Sequence, residues 1–159
     1  MELWIGALNL GFLYSFMAMG VYLTFRIHDF PDITVDGSLT TGAAIAAGLL
    51  VTGMHPLLVC PLAFGGGALA GVATAMIHTR FNINGLLSGT LVMTGLYSVN
   101  LHIMGQSNIP LLRQVTFFSW LQAFNPGLQP EIWIFIILLA IIVVFWFLFS
   151  YFFKTDLGI

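Results

Sequence analysis

The chain has 159 residues, of which 59% are hydrophobic and only 6% charged, with a net charge of −2. Soluble domains carry roughly 25% charged residues, so this composition excludes a soluble protein and specifies an integral membrane one. The acidic balance excludes nucleic acid as a partner, and the lone cysteine, Cys60, excludes an internal disulfide and a structural zinc cluster. The apolar runs are long and lack the alternation of barrel strands, so helices cross the membrane. The first runs from Trp4 to Phe25. Glu2 stands where a signal peptide would carry Lys or Arg, and no small-residue cleavage site follows, so this run reads as a retained transmembrane helix. Ala7, Gly11 and Ser15 recur every four residues and predict a close packing face. Asn9 predicts an interhelical hydrogen bond.

The stretch from Phe25 to Gly48 gathers Arg26, Asp29, Asp32 and Asp36 into an otherwise almost charge-free chain. Pro31 and the β-branched run Ile33-Thr34-Val35 predict an irregular, extended segment. A helix starting at Asp36 or Ser38 follows, since either side chain can accept from free backbone N–H groups. From Leu39 to Val51 that helix is too short to cross alone. The irregular residues Pro31 to Ser38 are therefore expected at membrane depth, buried by neighbouring helices. On this reading Asp32 and Asp36 are brackets that hold backbone N–H groups.

His55-Pro56 turns the chain into a third span, Leu57 to Ile77. Gly67, Gly71 and Ala75 predict its packing face, and Cys60 reads as a small buried hydrophobe. The fourth span, Ile83 to Met104, carries Gly85 and Gly89 in a GxxxG. It also carries the polar residues Asn84, Ser88, Thr90, Thr94, Ser98, Asn100 and His102. So polar a helix should face the bundle interior. Gly105 to Glu131 is a non-spanning connection whose aromatic middle, Val115 to Phe124, predicts a short interfacial helix. The last span, Ile132 to Phe153, has almost no small residues and is expected at the lipid-facing periphery.

The fold class that follows is all-α: a polytopic membrane bundle of about five spans with a discontinuous second element. Residues 1–159 form a single transmembrane domain. Arg26, Arg80 and Lys154 fall on one side and Arg113 on the other, which puts the first three in the cytoplasm and the N-terminus outside. The four histidines are too far apart in sequence to suggest a metal site. Gly65-Gly66-Gly67 lacks the lysine of a phosphate loop, and no nucleophile arrangement is legible. No metal, cofactor or catalytic residue is expected.

Three stretches carry a family resemblance. They are Phe30-Pro31-Asp32-Ile33-Thr34-Val35-Asp36-Gly37-Ser38, Gly95-Leu96-Tyr97-Ser98-Val99-Asn100-Leu101-His102-Ile103-Met104-Gly105, and Phe153-Lys154-Thr155-Asp156-Leu157-Gly158. They occur in the expected order. The chain resembles the membrane-spanning permease subunits of bacterial ABC importers, of the branched-chain amino acid and ribose permease type. Within that branch it looks most like a subgroup linked to tryptophan or tyrosine uptake.

The resemblance covers the whole chain but about half of the family's length, so the chain reads as the N-terminal part of a longer permease fold. It implies a bacterial cytoplasmic membrane location and a second helix interrupted within the bundle by Pro31, Asp32, Asp36 and Gly37. It also implies that Lys154, Thr155, Asp156, Leu157 and Gly158 begin the contact to a cytoplasmic ATP-binding subunit. The outer connection would meet an extracytoplasmic solute-binding protein, and a second permease subunit would pair around the pathway. ATP hydrolysis would belong to a partner. The expected path residues are Thr34, Ser38, Thr41, Ser88 and Thr94. Two other readings remain: a secondary transporter or channel coupled through Asp29, Asp32 and Asp36, and a non-transporting assembly subunit.

Overall fold

The computed structural model describes residues 2–28, 32–112, 114–122, 130–152 and 154. Its elements are all helical: α1 (Glu2–His28), α2 (Thr34–Val51), α3 (Pro56–Phe81), α4 (Gly85–Met104), α5 (Phe117–Gln122) and α6 (Pro130–Phe152). All but α5 are long and apolar enough to cross a membrane. The six residues of α5 fall inside the aromatic stretch expected to form a short helix.

Two compact units share the chain. One holds Met1–Asp29 and Leu121–Ile159; the other holds Phe30–Trp120. In the first, α6 meets α1 through aromatic rings. The Phe12 ring lies tilted at 5.3 Å from Phe135, and Phe16 lies edge-on at 5.4 Å from Phe145. Numbers rise together along both helices, so they run parallel, as a first and a fifth span must. The space beside Gly11 is open. The Ala7-Gly11-Ser15 stripe is therefore not where this pair closes; ring contacts offer more area than small residues do. Along α6, Leu138 is buried while Val143, Val144, Trp146, Phe147 and Leu148 are exposed.

In the second unit α2 lies between α3 and α4. Thr34 touches Thr74, the backbone of Ser38 faces Gly67, and Gly42 faces the Ala63 carbonyl, so α2 and α3 are antiparallel. Gly37 faces Met93, Thr40 bonds Asn100, and Gly48 faces Ile103, so α2 and α4 are parallel. These directions match alternating second, third and fourth spans. Close approach needs small residues at the contacts. A Cβ on Gly37 would stand 3.2 Å from the Met93 Cα, and one on Gly67 3.2 Å from the Ser38 carbonyl oxygen.

The α3 face that packs is Val59, Ala70 and Thr74, with Gly67 between. Gly71 has open space beside it and Ala75 is exposed, so the expected stripe continues through Ala70 and Thr74 instead. Steps of three and four alternate because the helix turns every 3.6 residues. Cys60 is exposed, not buried: it follows the buried Val59 directly and so points away from α2. The GxxxG of α4 does pack, with Gly85 and Gly89 both buried.

The start of α2 differs most from expectation. Ile33 is in a right-handed helical conformation at φ −79° and ψ −14°, and the helix runs unbroken from Thr34 for 18 residues. Ile33 to Val35 is therefore not extended. A β-branched run disfavours helix by only a few tenths of a kcal/mol per residue, less than one buried hydrogen bond and its packing supply. At 1.5 Å per residue the helix is about 27 Å long, close to the hydrocarbon thickness. Starting five residues before Leu39, α2 is long enough to cross by itself. Among the described residues, only Asp32 and Ile33 separate the end of α1 from α2.

Candidate functional site

Ile33 holds the N-cap position of α2, and Asp32, one residue before it, supplies the side-chain acceptor. Its Oδ1 accepts from the Thr34 N–H at 2.8 Å, satisfying one of the donors a helix N-terminus leaves free. Asp36 and Ser38 do not cap. Ser38 Oγ donates to the Val35 carbonyl within the helix, and Asp36 sits in the first turn, where a carboxylate suits the positive end of the dipole. The reason is reach: a cap must stand just ahead of the first free N–H groups, and those belong to residues near Thr34. Pro31 lies outside the described residues.

Thr34 is 1% exposed and Ser88 0%. They mark a junction of α2, α3 and α4. Thr34 Oγ1 lies 2.8 Å from Thr74 Oγ1, a buried bond across two helices. On its other side is Gly89, where a Cβ would stand 3.2 Å from that same hydroxyl oxygen. Ser88 Oγ donates to the carbonyls of Asn84 and Gly85. Thr41 is buried two turns further along and donates to the Gly37 carbonyl at 2.8 Å.

The structure thus brings Thr34 and Ser88 to one junction with Thr41 on the same buried side, and satisfies each hydroxyl locally. Ser38 is half-buried towards α3. Thr94 is exposed, its hydroxyl donating to the Thr90 carbonyl at 2.7 Å. Lys154 is an exposed turn residue; Thr155, Asp156, Leu157 and Gly158 lie outside the described residues.

Three residues outside the expected set matter. Thr74 is the only hydroxyl between Val59 and His78, a signal the sequence offered. Thr40 and Asn100 form the second polar contact across helices: Asn100 Nδ2 donates to Thr40 Oγ1 at 3.3 Å. The Asn100 side chain is buried, and its Oδ1 has no hydrogen-bond partner.

The exposed sides of this unit differ in chemistry. Between α2 and α3 lies a groove of about 660 Å³ walled by Ile45, Leu49, Leu62, Leu69 and Val72, an apolar surface suited to acyl chains. The α2–α4 seam instead holds Thr40 and Asn100, with the half-buried Asp36 one turn before Thr40 on α2. Where α2 turns into α3, the His55 ring caps α3 by accepting from the Leu57 N–H and meets Trp120 edge-on at 5.6 Å. No group of three or more metal-ligating side chains occurs among the described residues.

Comparison with known proteins bears on this arrangement. A profile of the family described as "Branched-chain amino acid transport system / permease component" matches residues 3–152. The chain is 42% identical over 154 residues to a tyrosine transport system permease protein of Clostridioides difficile (strain R20291), covering 97% of this chain and 49% of that one. It is 35% identical over 144 residues to an uncharacterized protein of Rickettsia prowazekii (strain Madrid E), covering 89% and 50%. The chain spans about half the length of these curated relatives. No solved structure matches it.

Proposed function

The chain belongs to the family of branched-chain amino acid transport system permease components, and from that premise we propose that it serves as the membrane-spanning part of an ATP-driven, binding-protein-dependent importer of a small amphipathic solute. The observation that carries this is the family match over 3–152, which takes in all five helices able to cross a membrane. An amino acid is the solute class we favour, because a relative at 42% identity is named for tyrosine transport.

On this reading the path runs beside α2 and α4. Thr34 and Ser88 lie buried where α2 and α4 meet α3, Thr41 is buried two turns further along α2, Ser38 is half-buried beside α3, and Thr94 stands on the exposed side of α4. Asp32 marks where α2 begins, Gly37 sets how closely it meets α4, and Asp36 stands in the first turn between them. Lys154, Thr155, Asp156, Leu157 and Gly158 are the proposed start of the contact to a cytoplasmic ATP-binding subunit. The connection after α4 is the proposed outer contact to a solute-binding protein. A second permease subunit completes the path.

The test is uptake by vesicles that hold the chain within its complete transport system. Labelled L-tyrosine should accumulate only with ATP inside and binding protein outside, and an ATPase-inactive partner should abolish it. Uptake driven by a proton or sodium gradient without the ATPase would overturn the ATP-driven reading in favour of a secondary transporter.

A further inference from the structure

The α2–α4 seam gathers hydrogen-bond acceptors that the protein leaves without a donor. Thr40 Oγ1 already donates its hydrogen to the carbonyls of Gly37 at 2.9 Å and Asp36 at 3.1 Å. The Asn100 group facing it must therefore be the amide NH2, and the Asn100 Oδ1 is left as the orphan. Asn100 is only 6% exposed, so its oxygen has lost water without gaining a protein donor. One turn before Thr40 on the same side of α2 stands Asp36, half-buried, with no ion pair among the described residues. Tyr97, three residues before Asn100, is exposed alongside.

A carboxylate, a hydroxyl whose hydrogen is spent and an orphan carbonyl oxygen together call for a donor-bearing cation. Lipid cannot supply one, and polar groups at membrane depth face protein or a watery cavity. The geometry points to Asp36, Thr40 and Asn100 as a site for a primary ammonium group, the positive head of the transported solute. A primary ammonium carries three N–H donors on one charge, one for each of the three oxygens, and reaches the enclosed Asn100 Oδ1 as the seam parts to admit it. A quaternary ammonium has none. The proposal deepens the importer reading, on which it rests for the identity of the solute, but the site itself does not depend on ATP.

The test uses the full chain in membrane vesicles with Cys60→Ser and Ala43→Cys. Ala43 is exposed, one turn beyond Thr40. A cationic methanethiosulfonate should modify the new thiol about tenfold faster than an anionic one, because Asp36 gathers positive charge. A cysteine at Leu69, in the apolar groove, should stay unmodified. Methylammonium should slow the reaction at 43 about twofold at a concentration equal to its dissociation constant. Tetramethylammonium should not, and Asn100→Leu and Asp36→Asn should each remove the protection.

Equal protection by sodium or tetramethylammonium, protection that survives both substitutions, or a thiol at 43 as inert as that at 69 would each overturn the site. Proper folding of the variants is checked by monodispersity and helical circular dichroism, and Thr40→Val gives a third independent probe. The ATP-dependent uptake assay stands apart: it can succeed while this site fails, and the reverse.

Discussion

Asp32 and Asp36 are four residues apart and do different work. Asp32 accepts from the Thr34 N–H and sets the first turn of α2, whereas Asp36 stands half-buried within that turn with no cap bond. Asp32→Ala should therefore cost about 1 kcal/mol, within the usual range for a lost cap, and Asp32→Asn much less. Asp36→Ala should leave the helix start unchanged. Thermal unfolding in detergent, followed by circular dichroism, checks both. If Asp36→Ala lowers stability as much as Asp32→Ala, the cap is misassigned. A second residue-scale prediction concerns the Thr34–Thr74 hydroxyl pair. Thr74→Val keeps the shape and removes the bond, and should cost about 0.6 to 1.7 kcal/mol. The same change at Thr79, exposed on α3, should be near neutral.

Helices meet in the second unit where their backbones come close. Gly42 would place a Cβ 3.3 Å from the Ala63 carbonyl oxygen, and Gly67 one 3.2 Å from that of Ser38. Backbone cannot swing aside as a side-chain end can, so Gly67→Val should force α2 and α3 apart and cost about 1–3 kcal/mol. Gly71→Val on the same helix faces open space and should be neutral or gain a few tenths of a kcal/mol, because valine is the better helix former. A comparison of unfolding midpoints for the two variants decides this; equal losses would refute the packing assigned to α3. Both glycines belong to one i, i+4 pair in the sequence, and nothing in that spacing says which of the two is covered. The answer depends on where the neighbouring helix crosses.

Across the molecule, helix directions within each unit give the same alternation that the basic residues suggest. α1 runs with α6, and α2 with α4 against α3. In the first unit Arg26 and Lys154 then lie at the same end, which the positive-inside rule makes cytoplasmic, and the same rule predicts that side for Arg80. A reporter active only in the cytoplasm should report when inserted after Arg80 and stay silent after Asn108, and a periplasmic reporter should do the opposite. The reverse pattern would invert the outer and inner assignments above.

Element number and class were legible in composition and run length, because each span must be about 20 apolar residues whatever its neighbours do. The family was legible in short motifs, of which the match to the permease components over residues 3–152 takes in the first two. The start of α2 was not. β-branched residues and a following Asp-Gly-Ser spelled an extended segment, and local preferences of tenths of a kcal/mol lost to a buried hydroxyl pair from a residue forty positions away. Asn100 was visible as a polar residue in α4, but not as an orphan acceptor, because that depends on Thr40 having spent its hydrogen on its own helix. The sequence by itself determined how many helices cross and to which family they belong, for these follow from local composition and order. Only the tertiary structure decided which polar atoms are satisfied and which face of the α2–α4 pair is left asking for a donor, because satisfaction is a property of pairs of atoms brought together by packing.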